Sequence, residues 1–136
     1  MKQFILKNDI SEIEKIHLYF EDLTMQGLIQ DGLSNQLILV IEEMFTNIIN
    51  YAFADKQLHC IEINLKLDNN DFIIQIIDDG IEFDPLNYKV QDLDTPLELR
   101  QIGGLGIHLM KSIMNEYQYK RENNKNYLSI KKYLTN

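Results

Sequence analysis

Residues 34 to 53 constrain this chain more than any other segment. Leu33, Leu37, Ile38, Leu39, Val40, Ile41, Met44, Phe45, Ile48, Ile49, Ala52 and Phe53 make a helix that is apolar nearly all round. Such a helix belongs in the middle of a folded protein, covered on most sides. Yet Gln36, Glu43, Thr46, Asn47 and Asn50 fall within roughly a third of its circumference at ~100° per residue. A narrow polar stripe on a buried helix has to face something polar.

The elements around it follow from spacing. Residues 2–7 read as a short strand. Ser11 can cap a first helix on which Ile13, Ile16, Phe20 and Leu23 recur at helical spacing, closed by Asp31-Gly32. Ser34 can cap the second helix. From His59 to Asp68, Ile61, Ile63, Leu65 and Leu67 alternate with Glu62, Asn64, Lys66 and Asp68, a strand with one core face and one solvent face. Asp68-Asn69-Asn70-Asp71 turns it into Phe72–Asp78 as a hairpin. Residues 79–103 form the one long irregular stretch, a length that usually marks function. A helix is predicted from Ile107 to about Glu116. Tyr117–Glu122 and Tyr127–Leu134 then read as a closing hairpin around Asn123-Asn124-Lys125-Asn126. The order β-α-α-β-β-loop-α-β-β predicts an α+β sandwich: a mixed, mostly antiparallel sheet with about three helices on one face.

Composition narrows the function classes. The 136 residues suit one domain, 1–136, with 45% hydrophobic and 25% charged residues. A net charge of −8 argues against a nucleic-acid binder, which normally carries a basic patch. No run approaches the ~20 apolar residues of a membrane span, and the start lacks the pattern of a signal peptide. The expectation is a cytoplasmic protein that meets no membrane. The single cysteine, Cys60, reads as a half-buried strand thiol.

Three motifs carry chemistry. Glu43 and Asn47 lie four positions apart and stack on one helix face. A carboxylate beside an amide oxygen suits a Mg²⁺ that keeps most of its waters and is shared with phosphates. Asp78 shares a strand face with Phe72, Ile74 and Ile76, so it is a carboxylate at the inner edge of the sheet that needs a donor. The exocyclic amine of adenine would serve, and Gly80 would let a base approach the backbone; taken alone, Asp79-Gly80 is also an ordinary turn signal. Gly103-Gly104-Leu105-Gly106 before a helix can crowd backbone N–H groups around phosphate oxygens. No Lys-Ser/Thr follows, so it is not a Walker A loop, and its place after a long loop is not the Rossmann arrangement.

The order of these parts resembles the Bergerat-fold ATPase superfamily of gyrase, Hsp90, histidine kinases and MutL, with an N box and two glycine boxes over residues 39–114. Glu43-Met44-Phe45-Thr46-Asn47, Ile76-Ile77-Asp78-Asp79-Gly80 with Phe83-Asp84-Pro85, and Gly103-Gly104-Leu105-Gly106-Ile107 are most similar to the bacterial anti-sigma factors that are also serine kinases. That resemblance implies ATP and Mg²⁺ as cofactors, Asn47 as the Mg²⁺ ligand, Glu43 as catalytic base and Asp78 as the adenine contact. It places Asn50, Gly80, Gly103, Gly104, Leu105, Gly106 and Ile107 at the nucleotide, with loop 86–103 as a lid carrying Arg100. Glu82 stands where the superfamily often has a second glycine. The partners implied are a STAS-type anti-sigma factor antagonist, phosphorylated on serine, a sigma factor, and a second copy in a homodimer. The alternative is a non-catalytic module of the same fold whose nucleotide only sets a partner surface. A histidine kinase would need a dimerisation helix pair, for which this length leaves no space.

Overall fold

The computed structural model describes residues 1–87 and 103–134. Five strands and three α-helices follow in the order β1 (Lys2–Lys7), α1 (Glu14–Met25), α2 (Asp31–Tyr51), β2 (Cys60–Leu67), β3 (Asp71–Asp78), α3 (Gly103–Ile113), β4 (Glu116–Glu122) and β5 (Lys125–Tyr133), with short 3-10 turns at Ile10–Ile13 and Pro85–Asn87. The sheet order is β1-β2-β3-β5-β4. The architecture is the predicted α+β, and of the mixed, mostly antiparallel sheet expected, every described strand pairing is antiparallel. The reason lies in the connections. β2–β3 and β4–β5 are hairpins, and the crossover through α3 leads to the edge strand β4, so no parallel strands become neighbours.

The alternating residues do what their spacing demands. Ile61, Ile63 and Leu65 of β2 and Phe72, Ile74 and Ile76 of β3 are buried against the helices. They meet Ile16, Phe20 and Leu23 of α1, Leu37, Val40, Ile41, Met44 and Phe45 of α2, and Ile107, Met110 and Met114 of α3 in one core. Phe20 stacks on Phe72 with ring centroids 5.4 Å apart. Each such side chain contributes about 1.5–3 kcal/mol by leaving water, so the nearly all-apolar α2 is the natural centre of the helical layer.

Several local features differ from those the spacing predicts. The cap of the first helical segment is Asp9, whose side chain accepts from the Ser11 N–H. Asp31-Gly32 opens α2 rather than closing α1, so Ser34 lies inside the helix with its N–H already bonded to the Gln30 carbonyl. α3 begins at Gly103, which puts the glycines in its first turns instead of before it. Cys60 is exposed, because it lies on the open sheet face at the start of β2. The last hairpin turns through Asn123 and Asn124, with φ of 53° and 62°, the left-handed pair that a two-residue hairpin turn requires.

Candidate nucleotide site

β3 is the central strand, and its period of two carries Asp78 to the helical side of the sheet, only 5% exposed. Asp78 Oδ1 accepts from the Gly80 N–H at 2.9 Å and from Asn126 Nδ2 at 2.9 Å. Among the described residues nothing donates to Oδ2. Burial pushes the Asp78 carboxyl above its ordinary range; the bonds from Asn126 and Gly80 oppose the shift, the Asp79 charge adds to it, and Arg121 opposes it. The result is a desolvated carboxylate with one oxygen filled and one still able to accept.

Asn126 is the site residue that sequence reasoning misses. Its composition places it in a turn, but it stands in β5, directly opposite Asp78. It shares the core face with Leu128 and Ile130, and that period of two is the signal that could have found it. Its amide is fully used. Nδ2 donates to Asp78 and, at 2.8 Å, to the Ile81 carbonyl, while Oδ1 accepts from the Tyr119 hydroxyl and the Phe83 N–H. Asn126→Ala strips a donor from Asp78 and strands the Tyr119 hydroxyl. Denaturant unfolding is expected to register a loss of about 2–3 kcal/mol, with the Asp78 carboxyl moving further up.

α2 passes over Asp78. Met44, Asn47 and Ile48 from α2, Ile76 and Asp78 from β3, and Tyr119, Asn126 and Leu128 from the last hairpin line one cleft. Asn47 is 5% exposed, and its side-chain amide makes no hydrogen bond to the described protein, leaving Nδ2 buried without a partner. A buried amide without a protein partner is costly unless a ligand completes it. Glu43, one turn earlier, is partly buried and lies against α3: a Cβ on Gly106 would come within 2.5 Å of Glu43 Oε2. Gly106 therefore lets α3 close on the carboxylate. The donor set of Asn47 amide and Glu43 carboxylate fits a hard cation shared with phosphates.

The other expected residues divide. Asn50 is exposed and does not line the cleft. Ile107 is 3% exposed, a core residue. Gly103, Gly104 and Leu105 lie in the first turn of α3, and their side chains are outside the description. Arg100 and loop 88–102 lie outside the described residues. At Gly80 the space a side chain would take is filled by protein. A Cβ there would lie 2.4 Å from the Ala52 Cβ and 2.6 Å from the Ala52 carbonyl oxygen, so what comes close is the end of α2. The Ile81 N–H donates to that same carbonyl at 2.9 Å. The basic residues of the last hairpin are engaged locally: Arg121 donates to the Gly80 carbonyl at 2.7 Å, Lys132 to the Ile113 carbonyl, and Lys120 pairs with Glu122.

A helix bearing Asn47 and a strand end bearing Asp78 meet at one cleft, a glycine-containing helix packs on Glu43 one turn away, and residues 6–132 match the profile of the histidine kinase-like ATPase domain. The chain belongs to that family. This ATPase domain is similar to the serine/threonine-protein kinase BtrW of Bordetella bronchiseptica, 29% identical over 94 residues, which are 69% of this chain and 66% of that protein. Among solved structures it is similar to the Acinetobacter baumannii histidine kinase AdeS, with a TM-score of 0.54 and 19% identity over all of this chain and 69% of the other. It is also similar to the histidine kinase domain of the blue-light activated histidine kinase of Erythrobacter litoralis EL346, with a TM-score of 0.51 and 16% identity over 75% of this chain and 45% of the other. The two structures share the fold. Membership of the family implies ATP binding. No helix among the described residues is long and apolar enough to cross a membrane.

Proposed function

We propose that this ATPase domain is a protein serine kinase that transfers the γ-phosphoryl group of ATP to a small protein partner. The observation that carries the reading is the unpartnered Asn47 amide, one helical turn from Glu43 and in the same cleft as the half-filled Asp78 carboxylate. Phosphoryl transfer asks a protein mainly for positioning and for charge stabilisation. Asp78 Oδ2 would accept the exocyclic amine of adenine and fix the base. Asn47 would hold Mg²⁺, which when bound neutralises charge on the phosphates, with Glu43 reaching at most one of its waters. Glu43 would also take the proton of the attacking serine hydroxyl. The similarity to a serine/threonine-protein kinase supports the acceptor class.

From the resemblance of the Glu43–Asn47, Asp78–Gly80 and Gly103–Ile107 motifs to the anti-sigma factor kinases, the proposed acceptor is a STAS-type anti-sigma factor antagonist. The further roles are sequestration of a sigma factor and assembly as a homodimer. The test is a transfer assay with γ-labelled ATP and such an antagonist. Glu43→Gln is expected to retain Mg·ADP binding and to lower transfer by about 10²–10⁴-fold, the usual worth of a general base. Unchanged transfer by that variant would remove Glu43 from the role. Tight binding with no labelled partner for the wild type would leave the nucleotide setting only a binding surface.

A further inference from the structure

Just outside the cleft lies a histidine that the reaction does not use. The His59 ring lies flat on Phe53, with centroids 4.1 Å apart and planes 6° from parallel. Nε2 is 2.8 Å and 3.0 Å from the two oxygens of Asp55, and Nδ1 is 3.2 Å from Asp79 Oδ1. Both ring nitrogens therefore face carboxylate oxygens. A neutral imidazole has one N–H and would turn a lone pair toward one of them; the imidazolium donates to both.

The two carboxylates belong to different halves of the site. Asp55 stands four residues beyond the end of α2, the helix that carries Glu43 and Asn47. Asp79 directly follows Asp78. Between them runs the seam already described, where Gly80 packs on Ala52 and the Ile81 N–H bonds to the Ala52 carbonyl. His59 is a third stitch across that seam and the one that depends on a proton.

We propose that protonated His59 is a positioning residue of the nucleotide site, holding the Asp78 turn against the end of α2 so that nucleotide affinity falls when His59 loses its proton. The proposal rests on the reading of the cleft as an adenine nucleotide site. The charged groups facing the ring are Asp55 and Asp79, with Arg121 sharing the groove and committed to the Gly80 carbonyl. From the β1 side the neighbour is Asn8, neutral, whose Oδ1 accepts the His59 backbone N–H. The bond to Asp55, more than the charge of Asp79, raises the His59 pKa above its ordinary 6.5. The stitch is thus fully present below 6.5 and is lost as pH rises through the higher folded value.

The test is titration of the full chain with Mg·ADP from about pH 6 to pH 9, for wild type, His59→Gln and His59→Arg. Because Mg·ADP itself changes ionisation with pH, the readout is the ratio of wild-type to variant dissociation constants at each pH. His59→Gln is expected to bind roughly three- to five-fold more weakly than wild type at the acid end, the scale of one part-exposed ion pair. It should converge with wild type at the alkaline end. His59→Arg keeps a donor and a charge for both carboxylates, so it should match wild type in acid and bind more tightly than wild type in alkali. A wild-type to His59→Gln ratio that stays constant across the range would overturn the proposal while leaving the nucleotide site standing. Absence of Mg·ADP binding by the wild type at every pH would overturn the reading of the cleft and this proposal with it.

Discussion

Asp78→Asn is expected to lose adenine-nucleotide binding by about a hundred-fold or more while the free protein remains as stable as wild type or becomes more so. The amide oxygen of the substituted side chain can still accept from the Gly80 N–H and from Asn126 Nδ2, so the local frame survives. What changes is the atom toward the cleft. An amide N–H₂ replaces Oδ2 and meets the exocyclic amine donor to donor. The complex then forfeits a hydrogen bond to a charged group, worth about 1.5–3 kcal/mol, and buries an unsatisfied donor costing about 1–3 more. The free protein responds in the opposite sense. The Asp78 pKa is raised chiefly by burial, so above that folded value the ionised carboxyl carries a desolvation cost that the amide lacks. The advantage of the variant should be present at neutral pH and shrink as pH falls through the raised Asp78 value. Calorimetric titration and melting curves of the same sample read both effects.

Gly80→Ala is expected to destabilise the fold through a backbone collision rather than through lost flexibility. Gly80 has no left-handed φ, so nothing about its own conformation demands glycine. The demand comes from Ala52: the new methyl would sit 2.4 Å from its Cβ, 2.6 Å from its carbonyl oxygen and 2.9 Å from Asp78 Oδ1. Two of these neighbours cannot swing away as a long side chain could. Overpacking of this kind costs about 1–3 kcal/mol, more than the roughly 0.4–1 kcal/mol that alanine gains by restricting the unfolded chain. The clash wins. For a chain of this length the melting temperature should fall by roughly 4–12 °C. Relief of the collision must part the Asp78 turn from the end of α2, so nucleotide affinity should fall with it. A variant as stable as wild type would show that the seam is loose.

The legible parts of this protein are those written in local periodicity. The apolar wrap of α2 with its polar stripe, the alternation of β2 and β3, and the placement of Asp78 on the core face follow from neighbours within a few residues. What local pattern does not encode is which distant residue completes a group. Asn126 meets Asp78 across 48 positions of chain, through a register set by a two-residue turn that the run Asn123-Asn124-Lys125-Asn126 makes look longer. Gly80 and Gly106 read as room for a ligand, but their missing side chains make room for Ala52 and Glu43. Capping residues mislead for a related reason. Ser11 and Ser34 have the chemistry of a cap, and Asp9 and the earlier start at Asp31 pre-empt them.

The most direct test of the central claim is the melting temperature of the wild-type chain with Mg·ADP and, separately, with Mg·GDP. At a concentration of about 100 times its dissociation constant a ligand adds roughly 2.7 kcal/mol to the folded state, a rise of about 10 °C at this chain length. Mg·ADP should produce that rise. Mg·GDP at the same concentration should produce little of it, because a base carbonyl would meet Asp78 Oδ2 acceptor to acceptor. No rise with Mg·ADP, or an equal rise with both, would contradict an adenine site built on Asp78.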